Sequence, residues 1–596
     1  VKPHAVAVLL SCLLLAGCDA GETDSSPIRL LDRAHSGLAA PVELTNETRK
    51  ALTIDLASRL EFDLSLPESP ILSFAIGASS PGRPTLLAPV VFRVLVDETE
   101  VFREVVRRSQ GAKWVPRVVD LTPWSRKSAR IALEAHRGDG GVKGAEKHVL
   151  AHWGNPVVRS RHRTPENAAL ILISVDCLRA DHVGAYGYHR QTTPNLDSFA
   201  RESTLFRNAM AVSSYTLPTH ASMLTGLPPS LSGATQRRRI APSVDSLPEL
   251  LSREGYRVQG VVSAPFLSPV YGFADGFDTY RLSSDRAAGL VDQALELLDE
   301  GAGFRQFLFL HLFDVHLPYS PPREFIDRFG ARTEDISDLN AMIQKRLHPE
   351  SELAVEQARR LYDGEIAYVD TELGRFFGEL EKRGLYDTSL VVVTGDHGEA
   401  FFEHGYWEHG RPWLGDGPGL YQEIVHVPLL VKRPGSREST EVADVVSQTD
   451  IFPTFLEAAG STHEFPWART LLDHQERGDG GWALAEFVAT PAEGGAILLV
   501  ALRRGNLKYS ASYRAGTLDD LYASPPLEEA LYDLAADPDE RHDLLPEAEG
   551  AAHVLRETLR RYLEAARARL AESAEEELSL DPELRRKLES LGYIER

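Results

Sequence analysis

Leu170-Ile171-Leu172-Ile173-Ser174-Val175-Asp176 is an apolar, β-branched run that stops at a carboxylate. Such a run reads as a strand buried on both faces of a parallel sheet. Open α/β sheets build their sites at the carboxyl ends of strands, which is where Asp176 falls. A strand-end aspartate alone more often serves as a cap or turn residue. Here the pattern repeats: Phe307 to Phe313 runs into Asp314-Val315-His316, and Ser389 to Thr394 passes through Gly395 into Asp396-His397-Gly398-Glu399. Val258 to Val262 is a fourth apolar run, and Pro194 to Glu202 and Pro218 to Thr225 read as helices with proline in the first turn. The predicted fold class is α/β, a mostly parallel sheet flanked by helices, over residues 163–470.

Three strands would then deliver metal-competent side chains at one edge. Carboxylate with neutral imidazole suits Zn²⁺ or Mn²⁺, and a set richer in carboxylate suits Mg²⁺ or Ca²⁺. Gly395 and Gly398 bracket Asp396-His397 and let the backbone turn so that both side chains face one ion. Tyr215-Thr216-Leu217-Pro218-Thr219-His220 places Thr216 at a predicted helix start, where free N–H groups and the helix dipole favour an anion. A threonine there usually only caps the helix. Beside a divalent ion its hydroxyl becomes a nucleophile near neutral pH. The expected cofactor is a divalent metal ion (Mn, Zn, Mg or Ca), one or two per chain.

On the amino-terminal side, residues 39–162 alternate apolar and polar side chains in short segments such as Leu60 to Leu66 and Val90 to Val96. Broken by Pro and Gly, they predict a small β-sandwich of jelly-roll type. Its tryptophans, Trp114, Trp124 and Trp153, are expected in the sandwich core rather than at a ligand. A C-terminal subdomain over 471–550 and a helical tail over 551–596, with an amphipathic helix near His553 to Glu572, complete the catalytic unit. The formal net charge of -23 excludes a general surface for nucleic acid or anionic lipid. Of the three cysteines, Cys12, Cys18 and Cys177, only Cys177 lies in the folded body, so no internal disulfide is expected.

Lys2 and His4 precede an apolar run from Ala5 to Leu15, shorter than the ~20 residues a membrane span needs. It reads as a signal peptide over 1–17. Leu15-Ala16-Gly17-Cys18 resembles the bacterial lipobox, whose cysteine is lipidated, and residues 18–38 would follow as a solvated tether. The expected location is exported and lipid-anchored through Cys18, on the periplasmic side of the cell envelope.

Val175-Asp176 with Leu178-Arg179-Ala180-Asp181, Thr193-Pro194-Asn195-Leu196-Asp197, Thr216 to Gly226, Gly276-Phe277-Asp278 and Gly395-Asp396-His397-Gly398-Glu399 follow one another in a telling order. That order resembles sulfatases and their alkaline-phosphatase-superfamily relatives. Leu531-Tyr532-Asp533-Leu534 with Asp537-Pro538 also looks sulfatase-like. The resemblance spans roughly residues 165–465. It implies that Asp176, Asp396 and His397, with Thr216, are metal ligands, and that Thr216 stands where the nucleophile of the Cys-x-Pro-x-Arg signature stands. It also implies that His316 and His409 contact the substrate oxyanion or protonate the leaving group. His404 and His409 share the Gly-rich stretch Phe401 to Gly410, and one of them is an alternative ligand for a second ion.

The departures from sulfatases decide the expected reaction. Sulfatases oxidise cysteine or serine to formylglycine, whose hydrate expels sulfate as the aldehyde re-forms. Threonine carries a methyl group on Cβ, so the same oxidation would give a ketone, and Thr216 disfavours that route. His220 replaces the usual arginine, and Cys177 replaces the second residue of the usual Asp-Asp pair, which lowers the expected ligand number. Threonine nucleophiles occur in superfamily members that act on phosphoesters. The expected function is a metal-dependent hydrolase that cleaves phosphomonoester, phosphodiester or phosphonate bonds through a covalent Thr216 intermediate. Thr216, His316, His409 and His220 form its catalytic set, and a small-molecule, glycan-linked or lipid-linked anionic ester is its substrate. Two alternatives stay open: a sulfuric-ester hydrolase working without formylglycine, and an inactive envelope-binding scaffold in which the sandwich does the recognition.

Overall fold

The computed structural model describes residues 28–34, 38–83, 85–107, 113–140, 148–160, 169–235, 238–332, 336–344, 352–409, 417, 419–461, 465–472, 480–489, 495–572, 584–586 and 588. The apolar opening segment, Cys18 and residues 19–27, for which the sequence predicts a signal, a lipid and a tether, lie outside these.

The amino-terminal region is built from β1 (Ile28–Arg29), β2 (Ala39–Leu44), β3 (Glu47–Asp55), β4 (Ser58–Ser65), β5 (Pro70–Ser79), β6 (Val90–Val96), β7 (Thr99–Val106), β8 (Val115–Asp120), β9 (Ser128–Arg137) and β10 (Leu150–Ser160). One sheet runs β4-β9-β6-β7, and β3, β10, β5 and β8 lie side by side in the other. Side chains between the two, among them Leu52, Phe74, Phe92, Ile131 and Trp153, close one core, as period-two alternation requires. Trp153 is fully buried and packs edge-on against Phe74 and Phe92 at 5.2 and 5.1 Å. It is a packing residue. The tether expected to reach residue 38 ends earlier, because Ile28–Arg29 pairs with β10 and Leu30 and Leu31 are buried. Apolar side chains beside an open strand edge gain more from burial than from solvent.

The second region contains β11 (Ala169–Val175), α1 (Pro194–Ala200), β12 (Thr204–Met210), α2 (Thr216–Thr225), β13 (Arg257–Val262), β14 (Thr279–Leu282), α3 (Ala287–Glu300), β15 (Gln306–Leu312), α4 (Glu352–Lys382), β16 (Leu390–Gly395), β17 (Ala400–Phe401), β18 (Trp407–Glu408), β19 (Leu429–Lys432) and β20 (Thr440–Ser447). Strands β16-β11-β15-β13-β14 run parallel in that order, and β19 lies antiparallel beside β16. Side-chain alternation divides this sheet into two faces. Leu170, Leu172, Phe307, Phe309, Leu390 and Val392 point to the face covered by α2 through Leu217, Ala221 and Leu224. Ile171, Ile173, Leu308 and Leu310 point the other way, toward α3 and α4.

The two regions share one sheet. β14 pairs antiparallel with β3, matching Thr279 to Arg49, Tyr280 to Thr48 and Arg281 to Glu47, so the sheet has 14 strands among the described residues. Charges straddle the seam: Arg281 meets Glu47 and Glu296, and Arg49 meets Glu47 and Glu300. Strand patterning along the chain does not reveal this continuity.

At the carboxyl end β21 (Trp482–Ala489), β22 (Ala496–Arg504), β23 (Leu507–Ala515) and β24 (Glu528–Asp533) form an antiparallel meander. Ala483, Phe487 and Leu499 join the core on the α2 side of the large sheet. The opposite face is covered by α5 (Glu549–Glu572) through Leu555, Leu559 and Tyr562. Among the described residues, no helix is long and apolar enough to cross a membrane.

Candidate active site

Strand register gathers the site. Val175 lies level with Gly395 on one side and with Leu312 on the other. Asp176 and Asp396, the next residues, therefore leave adjacent parallel strands at one edge, and both are fully buried. Asp396 Oδ1 accepts from the backbone N–H of Cys177 at 2.9 Å and of His397 at 2.8 Å, while Oδ2 has no hydrogen bond. His397 Nδ1 donates to Gly398 O at 3.0 Å, which leaves Nε2 as an acceptor. That Nε2 lies 3.3 Å from Asp396 Oδ2 and 3.5 Å from Thr216 Oγ1. Gly398 is required here, since a Cβ at this position would come within 2.0 Å of Glu423 O.

These residues fit a divalent ion. One donor atom each from Asp176, Asp396 and His397 lie within 4.8 Å of one another, so the three could share one ion. Asp176 Oδ2, Asp396 Oδ2 and both ring nitrogens of His311 are buried without hydrogen bonds, a state that calls for a missing partner. Burial acts most strongly against the charge of Asp176, yet His311, His316 and His397 outweigh it and hold its pKa well down. Burial, and then the charge of Asp176, push Asp396 well up. The pair resists a second negative charge until a cation arrives. Burial lowers the pKa of His397 and His316, keeping them in the neutral form that metals bind.

Thr216 opens α2 and is buried beside this cluster. The ring of His409 lies 4.1 Å from that of His397 and 5.0 Å from that of His316, so both expected proton donors stand together next to the candidate ligands. His409 Nδ1 is 3.5 Å from Cys177 Sγ and 3.6 Å from Glu399 Oε1. His220 sits one turn along α2. Its Nδ1 donates to Thr216 O at 2.8 Å, and its Nε2 meets Ser174 Oγ at 2.9 Å. With both nitrogens engaged, it braces the start of α2 against β11. Burial, followed by the charge of His311, lowers its pKa to about 3.

Two of the candidate side chains stand apart from the cluster. Asp314 turns away from the cluster, accepts from Arg286 at 2.7 Å and from Ala287 N at 2.9 Å, and so caps α3. His404 is also elsewhere: its Nδ1 lies 2.7 Å from Glu423, and its ring stacks on Tyr421 at 3.6 Å. β15 delivers His311 instead, with Nε2 3.2 Å from Asp176 Oδ2. The sequence carried a signal for it, because position 311 shares the parity of Phe307 and Phe309 on the face that α2 covers. His311 on β15 and His316 just after it bring two imidazoles beside Asp176.

Next to His316 opens a cavity of about 850 Å³. Phe313, Arg286 and Glu365 line it from the catalytic region, and Glu43 and Asn46 line it from the β2–β3 hairpin. The sandwich therefore borders the space beside His316.

Residues 168–461 match the family described as Sulfatase. Arylsulfatase K of Mus musculus is 24% identical over 430 residues, covering 62% of this chain and 74% of that protein. Iduronate 2-sulfatase of Homo sapiens is 24% identical over 351 residues, covering 46% of this chain and 61% of that one. Among solved structures, the phosphonate monoester hydrolase of Agrobacterium radiobacter has a TM-score of 0.53 at 21% identity, covering 67% of this chain and 96% of its own. BT4656, in complex with its substrate D-glucosamine-2-N,6-O-disulfate, has a TM-score of 0.54 at 18% identity, covering 67% of this chain and 98% of its own. At these identities the solved structures speak for the fold alone, and the α/β fold expected from the strand pattern agrees with them.

Proposed function

Residues 168–461 of this chain belong to the sulfatase family, and from that premise we propose that the protein is a metal-dependent hydrolase cleaving phosphoric or phosphonic esters through a covalent bond to Thr216. The observation that carries this reading is a threonine hydroxyl 3.5 Å from His397 Nε2, at the start of a helix packed against the carboxylate pair. Its Cβ methyl bars the formylglycine aldehyde, whereas a threonine oxygen can attack phosphorus and form an ester that water cleaves.

Asp176, Asp396 and His397 would hold the ion, which when bound lowers the pKa of the Thr216 hydroxyl and offsets charge on the ester oxygens. The amino-terminal end of α2, which Thr216 opens, favours the same anion through the helix dipole. Thr216 Oγ1, its proton released to solvent, attacks phosphorus as the bond to the leaving oxygen breaks, and His409 donates the proton that the departing alcohol needs. Water then attacks the phosphothreonine, and the same imidazole takes up its proton. His220 and Ser174 hold the nucleophile's helix in place. The ester enters from the cavity beside His316, which leaves its non-reacting part against walls supplied by both regions.

The names of the relatives favour a second reading, a sulfuric ester as substrate, while a threonine where sulfatases carry cysteine or serine favours the first. Purified protein assayed with Mn²⁺, Zn²⁺, Mg²⁺ or Ca²⁺ on aryl phosphate, phosphodiester, phosphonate and sulfate decides between them. We expect kcat/KM for a phosphorus ester to exceed that for sulfate by ~10-fold or more, about 1.4 kcal/mol of transition-state preference. We also expect a trapped phosphate on Thr216 by mass spectrometry. Preference for sulfate overturns the proposal. Export and lipid attachment at Cys18 are proposed on Leu15-Ala16-Gly17-Cys18 alone; Cys18→Ala should release the protein from the membrane fraction.

A further inference from the structure

Far along the chain from the metal ligands, Lys508 on β23 and Glu540 in the turn after β24 meet at 2.7 Å with no exposed side-chain surface. Burying two charges costs several kcal/mol per ion before their attraction is counted, so such a pair is weak evidence for stability and asks for another role. Both partners reach the backbone of a single segment. Lys508 Nζ donates to Leu420 O at 2.7 Å, and Gln422 N donates to Glu540 Oε2 at 2.6 Å. Leu420 holds a φ of 54°, a left-handed conformation that a leucine keeps only when its surroundings impose it. Tyr421, between the two anchored residues, is stacked on His404, which is itself tied to Glu423.

The same segment then grips the metal loop. Gly398 N donates to Ile424 O at 2.6 Å, and Glu399 N donates to Glu423 O at 3.0 Å. Gly398 directly follows His397. A continuous series of short contacts therefore runs from the ion pair to residues 420–422, on to 423–424, across to 398–399, and back to Asp396 and His397.

We propose that the Lys508–Glu540 pair is a positioning device by which the C-terminal sheet holds the metal-ligand loop in its binding geometry. This inference rests on the metal-dependent reading above. Neither side chain touches substrate or ion. Their removal frees residues 420–424, broadens the orientations open to Asp396 and His397, and leaves the cavity beside His316 as it was. Ion affinity and kcat fall, and KM for the ester holds.

The test is Lys508→Met/Glu540→Met in the full chain, which replaces both charges with apolar groups of similar length, a change that folded proteins often tolerate. Calorimetric titration of metal-stripped protein with Mn²⁺ should show affinity weakened ~10- to 100-fold, the range for residues that support ligands without binding the metal. At saturating Mn²⁺, kcat on aryl phosphate should fall with KM nearly unchanged, and the amides of Gly398 and Glu399 should exchange faster. Glu540→Asp, which keeps the charge but shortens the reach to Gln422, should show the same changes to a smaller degree and serves if the double variant does not fold. Wild-type Mn²⁺ affinity and wild-type amide exchange in either folded variant overturn the proposal, even if Tm has dropped. If wild-type protein takes up no stoichiometric Mn²⁺, Zn²⁺, Mg²⁺ or Ca²⁺, the metal-dependent reading fails, and exchange at residues 398 and 399 alone decides whether the clamp exists.

Discussion

His152 on β10 of the sandwich and His311 on β15 of the catalytic region occupy the same 14-stranded sheet, and both are buried. Both nitrogens of His152 are partnered, Nδ1 with Thr53 Oγ1 at 2.9 Å and Nε2 with Ser79 Oγ at 2.8 Å. Neither nitrogen of His311 has a hydrogen bond, and Nε2 instead lies 3.2 Å from the Asp176 carboxylate. Carboxylates show the same contrast. Glu134 of the sandwich is held between Arg59 and Arg93, whereas Asp176 and Asp396 face imidazoles and each other. His152 and Glu134 of the sandwich have their polar atoms partnered, and the catalytic edge keeps donor atoms open. Burial alone does not mark a functional histidine; bonding capacity left open beside other open donor atoms does.

The sharpest test of that contrast is at the nucleophile. Thr216→Ala should lower kcat by at least ~10³-fold while Mn²⁺ uptake, measured by metal analysis, stays stoichiometric. Substantial turnover by this variant would place the chemistry elsewhere. Next in size, His311→Leu should weaken Mn²⁺ binding ~10- to 100-fold by calorimetry, and His152→Leu should leave it unchanged. Equal effects from the two substitutions would break the comparison. A smaller effect is expected inside the sandwich, where His152→Leu strands the Thr53 and Ser79 hydroxyls and should cost ~1–3 kcal/mol in urea unfolding without altering kcat. A stability loss confined to the metal-free protein would contradict a purely structural role for His152.

A further effect, read only as a pH slope, concerns the cavity wall. Burial, opposed by Arg286, pushes the pKa of Glu365 from its ordinary 4.5 up to about 8. Between those values the folded protein keeps a proton that the unfolded chain has released. This group's contribution is therefore fully present below the lower value and is lost as pH rises through the higher one. Glu365→Gln should flatten the fall in stability between about pH 5 and pH 8, read from denaturation midpoints. An unchanged slope would show that Glu365 is already ionised at neutral pH.

Much of the site was legible along the chain. Asp176, Asp396, His397 and Thr216 each stand at a strand end or a helix start, and such positions announce themselves through an apolar run, a glycine or a proline. His316 and His409 were reached through family resemblance, and the structure places both beside the ligands. His311 was passed over because one polar residue within an apolar strand reads as tolerated, until its parity is set beside that of α2. Asp314 looked like a ligand by the same strand-end rule that identified Asp176, and only the position of Arg286 and the start of α3 show it to be a cap.

By itself the sequence determined the element types, the apolar faces and the strand ends that carry acid, imidazole and hydroxyl. These depend on neighbours a few residues apart, and periodicity and turn chemistry record them. Tertiary structure alone decided that β14 joins β3, that β16, β11 and β15 lie adjacent and in register, and that a lysine and a glutamate from the last sheet anchor the loop behind His397. Those facts arise from pairings between strands and loops tens to hundreds of residues apart. Such pairings are selected by the packing of the whole core, and no local pattern encodes them.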